Sequence, residues 1–363
     1  MERVFMKGCE AIAEAAVRAG CRFFAGYPIT PQNEIPEYFS RRMPEVNGVF
    51  VQGESEVASV NMVYGASATG TRSMTSSSSC GISLKSEGIS YMAGASLPTV
   101  LVSVMRGGPG VGSIQPSQQD YFQATKASGN GGFRMIVLAP ASMQEAIDMT
   151  YDAFDYAEKY KNPAMVLIDG FTAAMMEPVT LPPMKTDEEL AKMKKASGDE
   201  WAAVGREGGR GKHSISSGRW VGQEGKNIED AEKYELIKQN EIKVEEYLVD
   251  DAEVVIAAYG IAARISKSAI DVLRNSGYKV GMIRPITLFP FPEENFKKLD
   301  YGKVKGILNV EMSIPAQMVE DVQRCVMERA PIDTCLRSGG EILSRDTIVA
   351  AAKKLCESEG GAK

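Results

Sequence analysis

The chain predicts an α/β fold, with a mostly parallel, doubly wound sheet followed by a second, smaller α/β domain. Three observations carry this expectation. Short apolar runs bounded by Pro or charge, such as Thr99–Met105, Met135–Ala139 and Ala164–Ile168, read as strands buried on both faces. Between the last two, Ser142–Lys159 has helical periodicity and opens on a capping residue. Such segments alternate along 363 residues, a length that suits two or three domains with cores of their own.

In chain order, the Ala- and Glu-rich Gly8–Ala19 reads as a helix, Cys21–Ala25 as a short strand and Val49–Val51 as another. Asn61–Gly70 is rich in small residues and helical in pattern. With the strands and helix named above, these predict a first domain over 1–184. From Lys185 to Asp250 the texture turns charged and Gly-rich, as in Gly205-Arg206-Glu207-Gly208-Gly209-Arg210-Gly211-Lys212, with few apolar residues to seat a core. An interdomain segment is expected over 185–250, with a charged helix at about Ile228–Val249. Glu253–Ala258, then Ala262–Asn275 closed by Gly277, then Lys279–Ile283, form a strand–helix–strand unit. Val304–Val310, Ala316–Arg329 and a last helix near Asp346–Cys356 complete a second domain over 251–363.

Composition excludes several classes. The formal charge is −6, and no basic cluster is dense enough to suggest nucleic acid as a partner. Met1-Glu2-Arg3-Val4-Phe5-Met6-Lys7 has no apolar leader, and no stretch offers a membrane span, so a cytoplasmic protein is expected. Six cysteines (Cys9, Cys21, Cys80, Cys325, Cys335, Cys356) are widely spaced with no C-x-x-C pair, which argues against an iron–sulfur or zinc site encoded locally and for reduced thiols. No metal site is expected on this chain.

Three loops hold residues that could carry chemistry: Tyr27-Pro28-Ile29-Thr30-Pro31, Gly53-Glu54-Ser55-Glu56-Val57-Ala58 and Met105-Arg106-Gly107-Gly108-Pro109-Gly110. Each follows a predicted strand, and in an open α/β sheet such loops can converge on one ligand. Thr30 lies between two prolines that restrict its backbone, so it either presents a rigid hydroxyl or simply caps a turn. Glu54 and Glu56 sit where a strand passes into a helix; either could serve as a buried proton carrier or merely favour the helix N-terminus. Arg106 ends the most apolar strand, suited to a carboxylate ligand or to a salt bridge at the core's edge. Gly108-Pro109-Gly110-Val111-Gly112 has the wrong spacing for a dinucleotide fingerprint; its glycines more plausibly let backbone approach a ligand. Ser76 to Ser79 lack the G-x-S-x-G setting, and the single histidine, His213, lies in the interdomain segment, which argues against a serine hydrolase.

The ordered trio, together with Asn61-Met62-Val63-Tyr64-Gly65-Ala66-Ser67, the Ser-rich Thr75 to Gly81, Ile114-Gln115-Pro116-Ser117-Gln118-Gln119-Asp120-Tyr121 and Ile283-Arg284-Pro285-Ile286-Thr287-Leu288-Phe289-Pro290-Phe291-Pro292, resembles the alpha subunit of 2-oxoacid:ferredoxin oxidoreductases, most of all the branched-chain (2-oxoisovalerate) type. The resemblance implies coenzyme A-dependent oxidative decarboxylation of a 2-oxoacid, with thiamine diphosphate as cofactor and ferredoxin as acceptor. It implies a pyrimidine-type thiamine-diphosphate-binding first domain and a second domain like the C-terminal domain of transketolases. Alignment of Ser55-Glu56-Val57-Ala58 with the family's motif gives Glu56 the role of bonding the cofactor's N1′. Tyr27, Pro28, Ile29 and Thr30 would line the cofactor, Thr30 would also touch the substrate, and Arg106 would bind the 2-oxoacid carboxylate. The chain has no Gly-Asp-Gly, the motif that holds Mg²⁺ and the diphosphate in thiamine enzymes. A beta subunit is therefore expected to supply Mg²⁺ and that half of the site, with gamma and ferredoxin-like subunits beside it and iron–sulfur clusters on partners. The alternative is a transketolase-like or pyruvate-dehydrogenase-like thiamine enzyme without ferredoxin. Glu311-Met312-Ser313-Ile314-Pro315-Ala316-Gln317 departs from the family pattern, which leaves the reach of that loop open. Which of branched-chain 2-oxoacid, 2-oxoglutarate or pyruvate is used depends on pocket shape.

Overall fold

The computed structural model describes residues 3–126, 128–196, 202–205, 215–216 and 221–358. Most of the Gly-rich run 205–212 and His213 lie outside the described residues. Along the chain the strands are β1 (Arg3–Lys7), β2 (Phe23–Gly26), β3 (Val49–Gln52), β4 (Ser73–Ser77), β5 (Val100–Met105), β6 (Ile136–Leu138) and β7 (Ala164–Asp169). There follow β8 (Met176–Thr180), β9 (Val244–Tyr247), β10 (Val254–Ala258), β11 (Val280–Pro285), β12 (Thr287–Phe289), β13 (Gly306–Glu311) and β14 (Ile332–Leu336). The helices are α1 (Gly8–Arg18), α2 (Glu34–Arg42), α3 (Glu56–Ala68), α4 (Ser79–Gly94), α5 (Tyr121–Thr125), α6 (Met143–Tyr160) and α7 (Gly170–Ala174). The remainder are α8 (Asp187–Ala196), α9 (Gly222–Asn240), α10 (Gly260–Asn275), α11 (Glu293–Lys297), α12 (Met318–Val326) and α13 (Arg345–Glu357).

The first sheet has the order β12-β6-β7-β5-β4-β2-β3 and is parallel throughout except for β12 at its edge. Its centre is dry: every residue of β5 and β7 is buried, as continuous apolar strands between two helix layers must be. Register sets the strand ends nearly flush, with Met105 opposite Asp169 and Gly26 opposite Gln52, so the loops leaving them share one edge. The second sheet, β14-β13-β10-β11-β9, is parallel except for β9. β1 and β8 form a separate antiparallel pair.

Two details differ from expectation. The charged helix ends at Asn240, and the residues that follow turn back as β9 against β11, whose Met282 to Pro285 face Tyr247 to Val244. Sheet pairing satisfies that backbone, and Val244 and Val249 pack on the core beside it. The helix after Asn61 begins earlier, at Glu56, because Ser55 caps it by accepting from the Ala58 amide at 3.1 Å.

The two sheets meet along the segment that follows β5. Gln118 donates to the Tyr259 carbonyl and accepts from the Met312 amide, each at 2.9 Å. The buried Tyr121 donates to Asp321 at 2.6 Å, and Arg284 pairs with Glu145. The segment 114–126 is thus fixed from both sides.

Candidate functional site

The loops after β2, β3, β4 and β5 converge at the carboxyl edge of the first sheet. In the β2 loop Tyr27 and Pro28 are exposed while Ile29 and Thr30 are half-buried. The buried Gln32 ties this loop to the sheet, donating to Tyr27 O at 3.3 Å and accepting from Ser76 Oγ of β4 at 2.5 Å.

β3 runs through Gly53, Glu54 and Ser55 into α3. Ser55 takes the capping position, so Glu56 occupies the first helical turn, where the helix dipole favours a negative charge. The two candidate carboxylates part company here: Glu54 is exposed, and Glu56 is only 5% exposed. α4 closes over Glu56. A Cβ at Gly81 would fall 2.8 Å from Glu56 Oε1 and 2.0 Å from Ser77 Oγ, so this approach exists because residue 81 has no side chain. Among the described residues no protein group hydrogen-bonds to the Glu56 carboxylate, and the buried hydroxyls of Ser77 and Ser78 also lack partners. One turn beyond Gly81, the fully buried Lys85 donates to Thr75 Oγ1 at 3.0 Å and to the Glu56 carbonyl oxygen at 3.4 Å. Burial pulls the Lys85 amine down to about 7, against the opposing pull of the Glu56 charge.

Arg106 leaves the end of β5 and is 7% exposed. Its Nη1 donates to Thr30 O at 2.9 Å, and its Nη2 to Val111 O at 2.9 Å and to Cys80 Sγ at 3.1 Å. Nε has no partner. Ser79 holds the backbone behind it, accepting from the Arg106 amide at 2.9 Å and donating to Asp120 at 2.5 Å. Desolvation raises the Asp120 carboxyl to about 6, although Ser79 and the Arg106 charge both oppose that. Ser79 sits at φ 28°, a conformation uncommon outside glycine and concentrated at functional sites.

Thr30 and Arg106 therefore touch, and Glu56 is joined to them through Cys80 and Gly81 at the start of α4. Of the glycines after Arg106, Gly112 lets the loop fold onto itself, since a Cβ there would fall 1.8 Å from Gly107 O, and Val111 O is thereby brought to the guanidinium; a Cβ on Gly108 or Gly110 would meet nothing within 4 Å. Sequence reading missed Lys85, Ser79 and Asp120. Lys85 had a signal, lying on the helical stripe with Gly81, Ile82, Gly88 and Ile89, all buried. Ser79 and Asp120 lie in stretches that carry the family resemblance, but at 41 positions apart nothing in the sequence paired them.

The profile of the thiamine diphosphate-binding domain of pyruvate flavodoxin/ferredoxin oxidoreductases matches residues 14–240. The chain belongs to that family. A second profile, pyruvate:ferredoxin oxidoreductase core domain II, matches residues 252–348. The chain is 44% identical over 356 residues to the ketoisovalerate oxidoreductase subunit VorB of Methanothermobacter marburgensis, covering 98% of each. It is 34% identical over 358 residues to the 2-oxoglutarate synthase subunit KorA of Methanocaldococcus jannaschii, covering 94% of this chain and 97% of that one. Among solved structures it is similar to the 2-oxoglutarate:ferredoxin oxidoreductase from Magnetococcus marinus with 2-oxoglutarate, coenzyme A and succinyl-CoA bound. The TM-score there is 0.81 at 25% identity, and the match covers 98% of this chain but 65% of that longer one. Members of this oxidoreductase family use thiamine diphosphate, and the edge just described lies within the matched domain.

Proposed function

We propose that this chain is the pyrimidine-side subunit of a 2-oxoacid:ferredoxin oxidoreductase that converts a branched-chain 2-oxoacid, coenzyme A and oxidised ferredoxin to acyl-CoA, CO₂ and reduced ferredoxin. The observation that carries the reading is the Glu56 carboxylate, on a residue only 5% exposed and without a protein donor among the described residues, in a cradle that only a glycine at 81 leaves open. An acceptor that is buried without a protein donor is costly unless a ligand supplies one. The aminopyrimidine of thiamine diphosphate fits that need at N1′, with the Ser77 and Ser78 hydroxyls as further unspent groups nearby.

When bound, thiamine diphosphate supplies the carbanion on which a 2-oxoacid loses CO₂. Glu56 would hold the pyrimidine by sharing its proton with N1′, which favours the imino form whose nitrogen can accept the C2 proton. Arg106, rigid between Thr30 O and Val111 O, keeps Nε free toward a substrate carboxylate. Its contact with Cys80 Sγ is a weak one that a carboxylate oxygen readily displaces. The Thr30 hydroxyl accepts from Asn33 Nδ2 at 3.5 Å and would keep its proton to donate to a ligand.

Mg²⁺, the diphosphate and the iron–sulfur clusters are assigned to beta, gamma and ferredoxin-like partners. The absence of Gly-Asp-Gly from the sequence supports this, as does the near full-length likeness to a protein itself named a subunit. The branched-chain preference is supported by 44% identity to a ketoisovalerate oxidoreductase subunit against 34% to a 2-oxoglutarate synthase subunit. The assembled complex, given coenzyme A and a panel of 2-oxoacids, should reduce ferredoxin or viologen fastest with 2-oxoisovalerate. Carbon transfer without viologen reduction would favour the transketolase-like alternative, and a faster rate with 2-oxoglutarate would overturn the substrate assignment.

A further inference from the structure

α4 faces α3 with a stripe of three residues, Gly81, Lys85 and Gly88. A Cβ on Gly81 would meet the Glu56 carboxylate, and one on Gly88 would fall 2.5 Å from Val60 Cγ1, so the helices are as close as glycine allows on either side of the lysine. Lys85 itself is fully buried. Among the described residues no carboxylate lies within ion-pair distance of it; its acceptors are Thr75 Oγ1 and the Glu56 carbonyl oxygen. Thr75 has already given its own proton to Ala25 O at 2.7 Å, so its lone pairs are left for Lys85. Two acceptors satisfy the two N–H bonds of a neutral amine, whereas an ammonium keeps one donor without a partner. A buried lysine lacking an ion pair weakens a fold, and an apolar side chain of the same length would pack there better. Such groups concentrate where chemistry needs them.

The neighbourhood identifies what it serves. On the elements packed around it, β2 and β5 carry no titratable side chain, β4 contributes Thr75, and α3 contributes Glu56 and, farther along, Tyr64. On α4 itself Glu87 is exposed and bonded to Tyr91. Glu56 is the charge whose field reaches the amine. We infer that Lys85 is a positioning residue of the active site, which through its bond to the Glu56 backbone and its charge beside the Glu56 carboxylate sets the orientation and ionisation of that carboxylate. This rests on the role proposed for Glu56.

The sign follows from the charges. An ammonium near Glu56 favours its charged form, so removing the ammonium should disfavour that form. In Lys85→Met, a neutral side chain of matching length, the acid limb of C2-proton exchange in the assembled enzyme should move up by on the order of one pH unit. A second readout needs no cofactor. Burial lowers the Lys85 amine to about 7 from its ordinary 10.5, so between those limits the unfolded chain holds more protons and wild-type stability rises with pH. Lys85→Met should therefore melt above the wild-type chain at pH 7, by a margin that shrinks toward pH 10. Thr75→Val, which removes one acceptor, should shift the exchange limb in the same direction by less. Superimposable exchange profiles for all three proteins would overturn the inference, and a lower melting point for Lys85→Met with an unchanged profile would leave the lysine a purely structural role. Loss of exchange in Glu56→Gln beside an unchanged Lys85→Met profile would sink this inference alone. Unimpaired exchange in Glu56→Gln would instead remove the functional reading beneath it.

Discussion

Glu56 and Glu54 differ by two positions and face opposite environments. Ser55 takes the cap, so the residue after it turns inward under Gly81 while the one before it faces solvent. Glu56→Gln should keep the fold, because the amide occupies the same space, yet remove most of the turnover by ending proton exchange with N1′. Glu54→Gln should do neither. Measuring C2-proton exchange in both variants of the assembled enzyme checks this, and wild-type exchange in Glu56→Gln with loss in Glu54→Gln would show the wrong carboxylate was assigned. Arg106 has a comparable test. Lysine cannot bridge Thr30 O, Val111 O and a substrate carboxylate at once, since it presents a point charge where the guanidinium presents a planar fork. Arg106→Lys should lower kcat/KM for the 2-oxoacid by about 10- to 150-fold, or roughly 1.5–3 kcal/mol, with cofactor affinity little changed. Steady-state kinetics that match the wild type for every 2-oxoacid tried would return Arg106 to a structural role.

At the scale of elements, legibility followed apolar pattern. β5, β7 and β10 are continuous buried apolar runs, and Ser142–Lys159 carries its cap and periodicity in plain sight; all four stand within a residue or two of expectation. β4 was invisible because it is Ser-Met-Thr-Ser-Ser, wholly buried yet almost wholly polar. Its place beside β5 is set by neighbours rather than by its own side chains. The loops bearing Thr30, Glu56 and Arg106 could be read from their motifs, whereas Asp120 reaches Ser79 only because the second domain pins residues 114–126. Gln118 is the pin. Gln118→Leu would leave the Met312 amide unpaired in a buried seam and the Tyr259 carbonyl with only the Ala263 amide, destabilising the chain by about 1–3 kcal/mol. Urea denaturation reads this directly. A change below about 0.5 kcal/mol would mean the two domains hold that segment by apolar contacts instead.

Across the whole molecule, the proposed site is open where a partner is required. Tyr27, Val57, Leu84, Val111 and Ile114, all exposed apolar residues, belong to the loops and helices around Glu56 and Arg106, and Ile314 lies on the loop that Gln119 bonds. Exposed apolar side chains clustered near a polar site are what a subunit interface leaves when its partner is removed. The proposed half-site, with the pyrimidine end here and the Mg²⁺-diphosphate end on a partner, fits that surface. Among the described residues no helix is long and apolar enough to cross a membrane. Calorimetric titration of thiamine diphosphate with Mg²⁺ into the purified chain, and separately into the chain assembled with its partner subunits, tests the half-site most directly. Binding should be weak and insensitive to Mg²⁺ for the chain alone, and tight and Mg²⁺-dependent once assembled; tight, Mg²⁺-dependent binding to the isolated chain would contradict it.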